Sequence, residues 1–164
     1  HRVGGPPVFP TQPEGLYEET GQNEPGNSNF TWKDSTGNDR HRKSMYTYWK
    51  RMLLHPSLAS FDAPSRQVCV TSRSVTNTPR QALVTLNDPI FHECAQFFAE
   101  RITASHPSSK QRLEYAFRSC LSRSPDAEER KMFLTFLAEE DEGADGWISV
   151  AAILLNLDET LTRE

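Results

Sequence analysis

Cysteine is scarce in this sequence: Cys69, Cys94 and Cys120 are the only three in 164 residues. An odd, widely spaced set defines no complete disulfide framework, although a bridge between two of them stays open. No Cys-x-x-Cys-His run occurs, so this segment cannot attach a c-type haem covalently by itself. Long apolar runs are missing too. None approaches the roughly 20 residues that a bilayer-spanning helix needs, so the segment inserts no such helix in a membrane. An excess of positive charge is also lacking. The net charge of −4 leaves no electrostatic footprint for nucleic acid or an anionic membrane.

Catalytic signatures are absent in the same way. His1, His41, His55, His92 and His106 are scattered and do not fall into a metal-ligand spacing such as His-Glu-x-x-His. Serines are frequent, but no Gly-x-Ser-x-Gly elbow is present. Gly4-Gly5 has neither the glycine spacing nor the strand-to-helix context of a nucleotide loop. Many carboxylates occur, yet their order marks no paired acid and base. These residues nominate no catalytic group and no metal ligand.

What is present suits one domain. A chain of this length buries about two-thirds of its unfolded surface. Its 36% hydrophobic and 24% charged residues point to a modest core with long polar connections. Charge is uneven: Arg40, Arg42, Lys43, Lys50 and Arg51 cluster, as do Glu139, Glu140, Asp141 and Glu142. Such clusters are first of all solvated faces. Cys94 and Cys120 fall on apolar helix faces, where cysteine acts as a small buried hydrophobe.

Residues 1–76 read as a loop-rich arm. Pro6, Pro7, Pro10, Pro13 and Pro25 alternate with glycines and asparagines, while Val8, Phe9, Leu16, Tyr17, Phe30 and Trp32 interrupt the polar background. Aromatic residues in such a loop pack down on a core. Tyr46 and Tyr48 alternate as in a strand, Val68 and Val70 do likewise, and the two segments are expected to pair as a short β-ribbon.

Residues 77–164 read as a helical bundle. Thr78-Pro79 with Gln81 has the order of an N-cap, a first-turn proline and a capping-box partner. Asp88-Pro89 repeats the device one short helix later. Ile90, Phe91, Cys94, Phe97, Phe98 and Ile102 recur at helical steps, predicting a helix from about Pro89 to Thr103. Leu113, Ala116, Phe117, Cys120 and Leu121 give the next helix its buried face. Ser124-Pro125 is expected to start another, with Met132, Phe133, Phe136 and Leu137 inside. Trp147, Val150, Ala151, Leu154 and Leu157 form the last stripe. The fold class expected is mainly α: a compact helical bundle with a loop-rich N-terminal arm packed on it.

The most informative residues run from Phe61-Asp62-Ala63-Pro64 through Thr76-Asn77-Thr78-Pro79 to Asn87-Asp88-Pro89. With Tyr46, Lys50-Arg51, Arg66, Cys69, Arg73 and Gln81-Ala82-Leu83, this ordered set resembles the C-terminal part of the planctomycete-specific domain of unknown function 1553, over nearly the whole chain. Ser65, Ser72 and Arg80 depart from the family pattern. The resemblance carries no established activity. It implies a piece of a longer exported protein, with upstream domains of the same polypeptide as partners. It further implies a periplasmic or cell-envelope location, and haem c elsewhere in the parent protein rather than in this segment.

One polar constellation stands out in that stretch: Asp62, Arg66, Arg73, Asn77 and Gln81. Two arginines beside an acid and two amides have the donors to hold an anionic or sugar-like ligand. The same groups serve to cap helices and tie the loop to the bundle, and this structural reading carries more weight. The function expected is therefore a non-catalytic structural or interaction module. The alternative is one wall of a ligand-binding or active site of an envelope enzyme, polysaccharide-related or electron-transferring, completed by upstream residues.

Overall fold

The structure, a computed structural model, describes residues 4–12, 32–49, 54–65, 67–72, 74–140 and 143–162. The chain divides into two compact units, His1–Ser74 and Val75–Glu164.

The second unit is helical. The helices are α2 (Pro79–Asn87), α3 (Pro89–Ser105), α4 (Ser109–Leu121), α5 (Ala127–Glu139), α6 (Ala144–Leu155) and α7 (Asp158–Leu161), following a single-turn α1 (Pro56–Ser60) in the first unit. Local chemistry fixes the starts of α2 and α3. Thr78 and Gln81 form a complete capping box ahead of Pro79, and the Asp88 carboxylate accepts from the Ile90 amide ahead of Pro89. The residue before a proline is driven out of the α region, so α2 has to stop where α3 begins.

Packing then selects the faces. Ala95, Ala99 and Ile102 of α3, Leu113, Ala116 and Phe117 of α4, Phe133 and Leu137 of α5, and Trp147, Val150, Ala151 and Leu154 of α6 form one buried cluster. The small side chains Ala95 and Ala99 allow close approach, and α6 is the principal neighbour of α3. Gly146 is fitted to its place: an added Cβ would lie 3.3 Å from the Leu137 side chain. The Phe117 and Phe133 rings meet edge-on, with centroids 5.5 Å apart.

Three expectations about burial are corrected here. Cys94 and Phe97 lie outside the core face of α3, and Phe97 is 53% exposed. Successive helical positions are about 100° apart, so the seating of Ala95, Ala99 and Ile102 that brings Phe98 against the core swings Phe97 outward. Met132 is also exposed, because α5 turns Phe133 and Leu137 inward. The start of α5 lies later than Ser124-Pro125. Asp126 and Glu129 make a reciprocal capping box, while Ser124 gives its hydroxyl hydrogen to Glu114.

The first unit, taken by itself, is held by loops. The expected β-ribbon is not formed, and no strand is present among the described residues of the two segments. Ser44–Tyr46 winds into one turn of 3-10 helix instead. Its extended neighbour Thr47 pairs in parallel with Val8 through Val8 N to Tyr46 O and Tyr48 N to Val8 O, each 2.8 Å. Val68 and Val70 are 69% and 54% exposed, with no apolar face to cover a two-stranded pairing.

Aromatic side chains do gather in this unit. Phe9 stacks on Tyr48 at 5.0 Å and meets Trp32 edge-on at 5.2 Å, and Trp32 lies 6.0 Å from the ring of buried His55. The Trp32 indole donates to the Pro10 carbonyl at 3.0 Å. Leu16, Tyr17 and Phe30 lie outside the described residues.

Candidate functional site

The residues singled out by sequence divide three ways. Arg66 and Arg73 lie outside the described residues. Asp62 belongs to the first unit, where it adopts a left-handed backbone conformation with φ 57°, one that aspartate tolerates better than most residues. Asn77 and Gln81 belong to the second unit, Asn77 exposed and Gln81 only 2% exposed.

Gln81 is committed to its own helix start. Its Oε1 accepts from the Thr78 amide at 2.9 Å, its backbone amide donates to Thr78 Oγ1 at 3.3 Å, and its Nε2 donates to Thr76 Oγ1 at 3.2 Å. One buried side chain thus ties down two residues of the approach to α2, Thr76 and Thr78. A buried amide needs its partners, and here those partners are internal.

A second polar knot lies in the first unit. Arg42 donates from Nη1 to the Pro6 carbonyl at 3.0 Å and from Nη2 to the Gly4 carbonyl at 2.5 Å, while its guanidinium sits 4.0 Å from the Tyr46 ring centroid. Tyr46 Oη accepts from the Gly4 amide. Gly4 and Gly5 both have positive φ, 79° and 108°, and a Cβ on Gly5 would lie 3.6 Å from Arg42 Nη1. The glycine pair therefore reads as a backbone that wraps a guanidinium. Arg42 is a tether in this cluster, whereas sequence reasoning placed it on a solvated face. The glycine pair was legible, but nothing in the order of residues said which side chain it enclosed.

The third cluster was missed from sequence. Arg123, in the link between α4 and α5, donates to both oxygens of Glu129 at 2.7 Å and to both oxygens of Glu159 on α7 at 2.9 and 3.0 Å. Its guanidinium carbon is 5.5 Å from the Phe117 ring centroid. These bonds raise the arginine's proton affinity further and hold the Glu129 and Glu159 carboxyls below the usual carboxylate range. Beside them, Glu114 takes Ser124, Arg118 and Arg130, and its carboxyl is lowered chiefly by the Ser124 hydroxyl. The Asp-x-x-Glu order at 126–129 is the signal that could have placed Glu129 at a helix start beside Arg123; the Glu159 half depends on how the chain returns.

Chemically these clusters bind the protein to itself. The Cys94 thiol is pushed up by partial burial and by the neighbouring Glu93 and Asp88 carboxylates, and the Cys120 thiol is pushed up by burial. Neither is a poised thiolate. Among the described residues, no group of three His, Cys, Asp or Glu side chains could hold a metal ion. Among the same residues, no helix is long and apolar enough to cross a membrane.

The described residues thus define a mainly helical protein whose polar clusters secure its own backbone. The family model described as PSD1, protein of unknown function (DUF1553), matches residues 1–137, and the chain belongs to that family. No curated protein and no solved structure matches it.

Proposed function

We propose that the chain is a non-catalytic structural or interaction module of a larger exported protein of planctomycete type. Its partners are then upstream domains of the same polypeptide. On this reading the module works in the periplasm or cell envelope and carries no haem of its own. It accompanies c-type cytochrome segments elsewhere in the parent protein. Export and the cytochrome association rest on the family resemblance.

The observation that supports a contact role is the fate of Gln81. Among the described residues of the family stretch it is the most deeply buried polar one, and both ends of its amide serve the start of α2. A ligand site would hold such a group in reserve. Here it has gone into architecture.

The test is fractionation of source cells with an antibody raised against this chain, followed by staining for covalent haem. An envelope-fraction band longer than this segment and positive for haem is expected. A cytoplasmic, haem-free band would overturn the exported, cytochrome-associated reading. A purified parent protein whose turnover falls on Asp62→Asn or Asn77→Ala, with its fold intact, would overturn the non-catalytic one.

A further inference from the structure

From Arg101 to Leu113 the chain carries Arg101, His106, Lys110 and Arg112 but no aspartate or glutamate, although the chain as a whole is acidic. This stretch makes the corner between α3 and α4, and contacts gather it around Tyr115. Arg101 Nη2 donates to Tyr115 Oη at 3.1 Å, and the His106 ring centroid lies 6.1 Å from that of Tyr115. Arg112 Nε donates to the His106 carbonyl at 2.6 Å, and Arg112 stands one helical turn before Tyr115 on the same face of α4.

These two arginines differ from their neighbours in what they bond. Arg118, Arg123 and Arg130 each bond a carboxylate. Arg101 and Arg112 bond neutral oxygens, a phenol and a peptide carbonyl, and neither pairs with a carboxylate among the described residues. The acids that bracket the stretch do not neutralise it. Glu114 takes Ser124, Arg118 and Arg130, and the exposed Glu100 side chain forms no ion pair among the described residues. Arg101 and His106 are exposed and Arg112 and Tyr115 half-buried, so solvent reaches the rest of each guanidinium fork. The local positive field is felt at Tyr115, whose phenol is held below its usual range, chiefly by the bond from Arg101. Fastening the corner accounts for one donor of each arginine. It does not account for a cluster of cations with no acid in it.

We propose that this corner binds a tetrahedral oxyanion, phosphate or sulfate. The fork of Arg101, from α3, and that of Arg112, from the first turn of α4, close on different oxygens of one ion, with His106 and Lys110 adding charge beside it. A planar carboxylate is filled by a single fork and gains less from the second. The proposal goes beyond the contact-module reading and does not rest on it.

The test is titration of the isotope-labelled 164-residue chain with inorganic phosphate at constant low ionic strength, followed by amide chemical shifts. Saturable shifts confined to residues 101–115 are expected, with a Kd of about 0.1–1 mM. Sulfate should bind within about three-fold of phosphate, and acetate about ten-fold more weakly. Glycerol phosphate separates the sources: tighter binding than inorganic phosphate marks an esterified ligand, weaker binding the free ion, and either supports the site. Arg101→Gln/Arg112→Gln should weaken phosphate binding about ten-fold or more, whereas Arg118→Gln, on the same helix but bonded to Glu114, should leave it unchanged. If the double variant loses helicity, Arg101→Gln alone, at an exposed position of α3, should still weaken binding about three-fold. Shifts that rise without saturating, or that follow every lysine and arginine of the chain alike, overturn the proposal. So do binding that survives the arginine substitutions and acetate binding as tight as phosphate.

Discussion

Thr85 on α2 and Asn156, the residue that ends α6, are hydrogen-bonded through their side chains across 71 positions of sequence. The Thr85 hydroxyl also lies 2.9 Å from the Ala82 carbonyl of its own helix. This polar contact joins α2 to the end of α6, while the apolar core of the unit is built from α3 to α6. Thr85→Val keeps the shape and removes the hydroxyl, leaving the Asn156 side chain short of a partner. A loss of about 1–3 kcal/mol in urea unfolding is expected. Thr85→Ser should recover most of it, and amide exchange in α2 should accelerate in the valine variant before the rest of the unit is affected.

Gln81→Ala removes the return half of the capping box and the bond to Thr76. The expected cost is about 1–2 kcal/mol, typical of a lost cap with one buried group left unpaired. Arg80→Ala, one residue earlier and exposed, should change stability by less than about 0.5 kcal/mol. Equal effects at the two positions, measured by thermal unfolding, would show that Gln81 does not organise the helix start.

Gly5→Ala tests the Arg42 tether. At φ 108° an alanine is strained whatever space it has, and the new methyl group would sit against the guanidinium. The expected result is faster amide exchange at Gly4 and Tyr48, with the second unit's helical signal unchanged. Arg42→Lys should act in the same direction, because one ammonium cannot serve the Gly4 and Pro6 carbonyls with the fork geometry of a guanidinium.

Helix starts were the legible part of this sequence. Thr78-Pro79-x-Gln81 and Asp88-Pro89 act through atoms at most a few residues apart, so local order was enough to place α2 and α3. Face assignment was less legible. Cys94, Phe97 and Phe98 all fit a helical stripe, and the choice among them was made by the closeness of α6 to Ala95 and Ala99, which no local pattern encodes. The ribbon failed for a related reason: alternation at Tyr46 and Tyr48 marks extended backbone but does not name its partner, which proved to be Val8. Of the polar constellation, Gln81 was legible as a cap, while the Arg42 and Arg123 knots each join residues more than thirty apart.

The corrected faces give a direct contrast in the core. Phe117 is fully buried and Phe133 nearly so, and each should cost about 3–5 kcal/mol when truncated to alanine. Phe97→Ala should cost less than about 1 kcal/mol, because its ring is already half in water. Chemical denaturation of the three variants under one set of conditions separates the two groups. A Phe97 variant as damaging as the Phe117 one would mean that α3 is rotated from the seating described.

The Arg123 hub predicts how the second unit responds to acid. Glu129 and Glu159 are bonded to the guanidinium, and their folded-state affinities for protons are lowered from the ordinary value of 4.5. A lowered carboxylate contributes stability that is fully present above the unfolded value and is lost as pH falls through the folded one. Stability should therefore begin to fall near pH 4.5 and go on falling below it as the two glutamates take up protons. Arg123→Gln removes the cation that lowers both. Its stability should be less than wild type at neutral pH, and the gap should narrow as acid is added, because the wild-type contribution disappears while the variant has none to lose. Urea midpoints measured at successive pH values give both curves. Parallel curves would mean that these carboxylates titrate alike with and without Arg123, and the hub would then contribute nothing to holding α7 against the link between α4 and α5.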